Sequence, residues 1–138
     1  MERVFLDANV LFSAAYRPSS RTRQLWLMPG VALVSSLYAV EEARRNLSVH
    51  RSQSLSDLDD LVSRMEIVSG LLSEVLLSDE VDLPEKDAPI LAAAVQSKCT
   101  HLLTGDKQHF DALYGKSVEG VIVLLPAEYI RRREFSHG

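Results

Sequence analysis

Four acidic side chains occupy positions from which an α/β fold would bring them together: Asp7, Glu42, Asp87 and Asp106. Asp7 ends the apolar run Val4-Phe5-Leu6, and Asp106 follows His101-Leu102-Leu103-Thr104-Gly105. Asp87 opens the run Ala88-Pro89-Ile90-Leu91-Ala92-Ala93-Ala94-Val95, and Glu42 sits in a helical stretch after Val31-Ala32-Leu33-Val34. In parallel sheets, sites form outside the carboxyl ends of the strands. Carboxylates gathered there repel one another unless a hard cation neutralises them. The implied chemistry is a divalent-metal site acting on phosphodiesters. Two such ions about 3.5–4 Å apart activate a water and relieve charge on the leaving oxygen. Mg²⁺ suits an open, all-oxygen site of few carboxylates, waters and substrate phosphates.

Each acid also has a plainer reading. Asp7, Asp87 and Asp106 are all placed to cap helices, a common use of Asp after a strand or loop. Capping and metal binding are compatible, because a carboxylate has two oxygens. Glu42 reads equally as a solvated helix residue. Its neighbour Glu41 lies about 100° away around the helix, so only one of the two can face a site above the sheet. Asn9 and Thr104, each two residues from an aspartate, are candidates to orient the carboxylates or hold a metal-bound water.

The elements that must position these groups are legible in outline. Residues 3–7 and 31–35 read as buried strands, 101–103 as a third and 121–125 as the last. A further short strand falls within 66–69 or 74–77. Helices are expected over 10–16, 21–28, 37–49, from Ser54 or Ser56 onward, over 87–97 and 107–113, and from Pro126. The tail from Arg131 onward is expected to fray. Strands alternate with helices throughout, the pattern of a parallel α/β sheet covered by helices on both faces. The expected organisation is one domain over residues 1–138.

Composition narrows the class. Apolar residues make up 46% of the 138 residues and charged residues 25%, as in an ordinary globular core. The net charge of −4 provides no overall basic field for nucleic acid, although a bound cation would reverse the local sign. Cys99 is the one cysteine, so no intrachain disulfide can form, and it reads as an inert buried thiol. No apolar stretch reaches the roughly 18 residues of a membrane span, and the amino terminus lacks a signal-peptide pattern. The expectation is a cytoplasmic protein. No glycine-rich phosphate loop is present, which argues against a nucleotide cofactor. His109 reads as a packing or surface histidine before a proton donor, and Lys107 as solvated before a phosphate ligand. Arg21, Arg23, Arg44 and Arg45 form a candidate basic rim. Phe12 and Trp26 read as core or dimer-interface residues rather than base stackers.

At this point the chain resembles the PIN-domain nucleases, in particular the VapC-like toxin ribonucleases. Phe5-Leu6-Asp7-Ala8-Asn9-Val10-Leu11 is similar to the opening signature of that family. Ser36 followed by Glu42-Ala43-Arg44-Arg45-Asn46-Leu47 is similar to its second motif. Residues Leu83-Pro84-Glu85-Lys86-Asp87-Ala88 through Ala94 resemble the third, and Leu102-Leu103-Thr104-Gly105-Asp106-Lys107-Gln108-His109-Phe110 the fourth. The resemblance implies a central parallel sheet in the order 3-2-1-4-5 between helices, and hydrolysis of RNA with one or two Mg²⁺ or Mn²⁺ ions. It also implies an acidic site of Asp7, Glu42, Asp87 and Asp106, an antitoxin protein as partner, and a homodimer. Two other classes remain open. One is a non-catalytic RNA- or protein-binding module. The other is a Mg²⁺-dependent phosphatase, although Asp7-Ala8-Asn9 lacks the second aspartate of a DxD loop.

Overall fold

Val4, Phe5 and Leu6 have no exposed surface because their strand lies at the centre of the sheet. The computed structural model of the chain describes residues 1–69, 88–106 and 110–137. In it β1 (Glu2–Leu6) pairs in parallel with β2 (Val31–Ser36) on one side and with β4 (His101–Leu103) on the other. β3 (Glu66–Val68) extends the sheet beyond β2, and β6 (Val121–Leu124) beyond β4, both in parallel. A short strand, β5 (Ser117–Val118), closes the edge antiparallel to β6.

The full order is β3-β2-β1-β4-β6-β5. The five parallel strands therefore follow the expected 3-2-1-4-5 arrangement, with β6 as the fifth. The antiparallel edge strand β5 is an addition to the expected central parallel sheet. Its cause is local. Glu119 and Gly120 both hold positive φ, 51° and 85°, between paired Val118 and Val121. Two central residues with positive φ make a tight two-residue hairpin whose twist matches the strands.

The helices cover the sheet through short or small-residue contacts. α1 (Ala8–Tyr16), α2 (Leu37–His50) and α3 (Leu55–Ser63) pack on one another. α4 (Ala88–Gln96) packs on β2 and β4. Its buried run Ile90-Leu91-Ala92-Ala93-Ala94 places small side chains where the helix must approach the sheet. The connections between β1, β2 and β3 carry α1, α2 and α3, and α4 precedes β4.

Several element boundaries differ from the expectation. Residues Arg21–Leu27 form a 3-10 helix rather than an α-helix, and Ser52–Ser54 form a 3-10 turn leading into α3. The last helix, α5 (Pro126–His137), starts at a proline suited to a first helical turn. It runs on through the segment from Arg131 that was expected to fray. Arg133 secures it there, binding Glu2 at 3.1 Å and the carbonyl of Pro29 at 2.8 Å. The alternative strand at 74–77 lies outside the described residues. Among the described residues no helix is long and apolar enough to cross a membrane.

Candidate functional site

The carboxyl ends of β1 and β4 lie side by side because the Asp7 backbone N–H donates to the Leu103 carbonyl at 3.1 Å. This brings two sequence-distant loops, Asp7-Ala8-Asn9 and Thr104-Gly105-Asp106, into one structure. Asp7 is 4% exposed and serves as the N-cap of α1, its Oδ1 accepting from the Ala8 N–H at 2.6 Å. Its Oδ2 accepts from the Thr104 hydroxyl at 2.8 Å and from the Asn9 amide at 3.4 Å. Backbone N–H, hydroxyl and amide donors thus surround a buried carboxylate, as an anion there requires.

Thr104 is the hub of this network and is fully buried. Its Oγ1 accepts from Asn9 Nδ2 at 3.2 Å and from the Asp106 backbone N–H at 3.1 Å. Asn9 Oδ1 in turn accepts from the Gly105 N–H at 2.7 Å. Both residues singled out for their position in the sequence therefore tie the two strand ends together and orient Asp7. Tyr114 adds a brace from below, donating its hydroxyl to the Thr104 carbonyl at 2.8 Å. Burial, then the nearby charge of Asp106, pushes the Tyr114 hydroxyl up to about 12, so it remains a donor through the neutral range.

Glu42 reaches the same place from α2. The helix begins at Ser36, whose hydroxyl accepts from the Ala39 N–H at 3.2 Å. Its buried stripe Ala39, Val40, Ala43 and Leu47 faces the core, which rotates Glu42 toward the strand ends and leaves Glu41 exposed. A cleft of about 390 Å³ results, lined by Asp7, Asn9, Phe12, Glu42 and Asp106 together with Asn46 and His50. Three of the four candidate acids thus share one cleft. The fourth, Asp87, lies outside the described residues, as do Lys107 and His109.

Sequence reading did not pick out Asn46, His50 and Phe12 as neighbours of these acids. The signal was present for two of them. Glu42, Asn46 and His50 recur every four residues, so they share one helix face. Phe12 is half-buried, touching the core on one side and the cleft on the other. Trp26, by contrast, packs as expected, its indole donating to the Leu61 carbonyl at 3.0 Å. The proposed basic rim does not line the cleft. Arg23 pairs with Asp57 and Arg44 with Asp59, while Arg21 lines a separate cavity beside Pro126 and Arg131.

The carboxylates of Asp7, Glu42 and Asp106 are hard oxygen donors, which fit Mg²⁺ or Mn²⁺ and not a thiolate-seeking metal. Among the described residues no three His, Cys, Asp or Glu side chains form a ready-made cage. Mg²⁺ takes one or two carboxylates and completes its shell with waters and phosphates.

Residues 3–108 match the PIN domain family. The chain belongs to the PIN domain family. No curated protein matches the sequence, but solved structures share the fold. The VapBC2 complex of Rickettsia felis, bound to a DNA fragment from its promoter, contains a chain that aligns with a TM-score of 0.64 at 18% identity. That alignment covers 88% of this chain and 96% of the other. VapC20 of Mycobacterium tuberculosis, a toxin that cleaves the sarcin-ricin loop, aligns at 0.56 and 14% identity over 79% and 93% of the two chains. VapBC-1 of nontypeable Haemophilus influenzae aligns at 0.55 and 14% identity over 91% and 98%.

Proposed function

We propose that this PIN domain is a divalent-metal-dependent ribonuclease and the toxin of a toxin–antitoxin pair. One observation carries the reading. Carboxylates from three separated segments, Asp7, Glu42 and Asp106, line a single cleft at the carboxyl ends of β1 and β4. Family membership supports it, as does the shared fold with a toxin that cleaves the sarcin-ricin loop and with two complexes of the VapBC type. The antitoxin partner, the homodimer and a cytoplasmic location follow from the same reading.

In this mechanism Asp7, Glu42 and Asp106, with Asp87 as the fourth acid, would hold Mg²⁺ or Mn²⁺, which when bound would supply water activation and charge relief at the leaving oxygen. The chain's own residues do the positioning. Asp7 offers a carboxylate whose direction is set by Thr104 and Asn9, so little reorganisation is needed when substrate arrives. Asn9 holds the Gly105 backbone, and through it the loop that presents Asp106. Glu42 closes the cleft from the α2 side.

The test is cleavage of single-stranded RNA with Mn²⁺, with and without chelator, by the wild type and Asp7→Asn. Asparagine caps a helix as well as aspartate, so the variant is expected to fold and to have lost cleavage. Cleavage in chelator, or undiminished cleavage by Asp7→Asn, refutes the metal mechanism. A phosphoaspartyl adduct would instead place the chain among phosphatases.

A further inference from the structure

The carboxylate cleft continues along α1. Phe12 forms part of its wall and also part of a second cavity of about 310 Å³, bounded by Phe12, Ser13, Tyr16, Arg17 and Ser20. Phe12 and Tyr16 are one helical turn apart, with ring centroids 5.4 Å apart and planes tilted by 35°. His50, from the carboxylate cleft, meets Phe12 edge-on at 6.4 Å. At the far end the guanidinium groups of Arg17 and Arg51 lie over the Tyr16 ring, 5.7 and 5.2 Å from its centroid. The order along the surface is therefore carboxylates, aromatic rings, cations.

Aromatic rings at helical spacing usually serve the core, and both rings do touch it. Neither is fully buried, however, and the space they border is open. An RNA chain approaching this surface meets a difficulty. The protein is net negative, and a cation at the acids would attract phosphate only at the cleft itself, so the strand needs a further contact beyond it. Stacking of a base on an aromatic face is independent of the sign of the local field. It tolerates any sequence, because every base has a π-face. The seryl hydroxyls at the margin can donate to or accept from a base edge.

We propose that the cavity bordered by Phe12 and Tyr16 is a nucleobase subsite. One base of a single-stranded RNA, adjacent to the phosphodiester at the carboxylates, packs against the two rings, and Arg17 faces the next phosphate. This rests on the ribonuclease reading for its substrate class, but binding can be measured without cleavage.

Two measurements test it. In the first, Asp7→Asn is titrated with a short single-stranded RNA carrying 2-aminopurine at successive positions, in the presence of Mn²⁺. Stacking is expected to quench the fluorophore at one position and not at its neighbours. In the second, wild type, Phe12→Leu, Tyr16→Leu and Phe12→Tyr are compared in Mn²⁺-dependent cleavage of the same RNA, intact or abasic at that position. Leucine keeps apolar volume and removes the π-face. Each leucine variant is expected to raise KM about tenfold, the scale of one stacked base, with kcat little changed. Phe12→Tyr is expected to restore the wild-type value. The abasic RNA is expected to raise the wild-type KM equally and to abolish the difference between variants.

Uniform fluorescence along the strand, or an unchanged KM on abasic RNA with the wild type, overturns the subsite. The wild-type measurements decide the matter even if a leucine variant fails to fold. Quenching at one position without any cleavage supports the subsite and refutes the nuclease reading. Cleavage with no position-specific quenching does the reverse.

Discussion

Thr104→Val removes one hydroxyl and keeps the shape of a fully buried side chain. The hydroxyl donates to the Asp7 carboxylate at 2.8 Å and accepts from Asn9 and from the Asp106 backbone. A hydrogen bond to a charged group contributes about 1.5–3 kcal/mol. Asn9 is exposed and Asp106 is half-exposed, so their N–H groups can turn to water and add little to the loss. The added methyl group offsets about 0.8 kcal/mol. The net destabilisation is about 1–2 kcal/mol, or roughly 3–10 °C in Tm for a chain of this size. The effect on function is expected to be larger than on stability. With the Thr104 bond to Oδ2 gone, Asp7 can turn away from the cleft, and losing such a partner typically costs about 10–100-fold in metal affinity or activity. Urea unfolding gives the stability, and Mn²⁺ titration with RNA cleavage gives the function. Thr104→Ser, which keeps the hydroxyl, is expected to recover most of the metal affinity. A Thr104→Val protein with lowered Tm but wild-type Mn²⁺ affinity and kcat/KM would refute the orienting role and leave Thr104 a packing residue.

Glu42→Gln is expected to lower Mn²⁺-dependent cleavage at least about tenfold while shifting Tm by less than about 2 °C, since a surface substitution outside the core changes stability little; comparable loss in Glu41→Gln would show that the helix face has been misassigned. Stability is expected to fall as pH rises above about 10. The native Tyr114 keeps its proton up to about 12 while the unfolded chain has already lost it. Tyr129, raised by burial and by its bond to Glu2, acts in the same direction. Tyr114→Phe should therefore flatten part of the alkaline decline in urea midpoints, and an unchanged slope would count against the buried hydroxyl. The thiol of Cys99 is buried and pushed up by that burial. Ellman's reagent is expected to react with it slowly in the native protein and at once in urea, and rapid native reaction would contradict the packing around α4.

The strands were legible because short apolar runs bounded by turn residues leave few alternatives, and β4 at His101–Leu103 coincides with its expected span. The acids at the strand ends were legible for the same reason. A charged residue terminating an apolar run marks where the chain leaves the core. The β5–β6 hairpin was not, because Glu119-Gly120 lacks the Asn-Gly or Asp-Gly pair that signals such turns, and a glutamate with positive φ is held there by the pairing of the flanking strands. Arg21–Leu27 has helical composition, yet a seven-residue segment between a proline break and a Pro-Gly turn takes the tighter winding that its anchored ends allow.

For the candidate site the division is sharper. Local sequence determined which residues cap, turn and leave the sheet, since backbone propensity and side-chain polarity act over a few positions. It placed Asp7 and Asp106 after strand ends and Glu42 on a helix, and marked Asn9 and Thr104 as neighbours of the two aspartates. That Thr104 binds Asp7 across 97 residues, that Glu42 rather than Glu41 turns inward, and that Phe12 borders the cleft depend on the pairing of β1 with β4 and the packing of α1 on α2. Those contacts arise only when distant apolar surfaces are buried together, and no local pattern encodes their geometry.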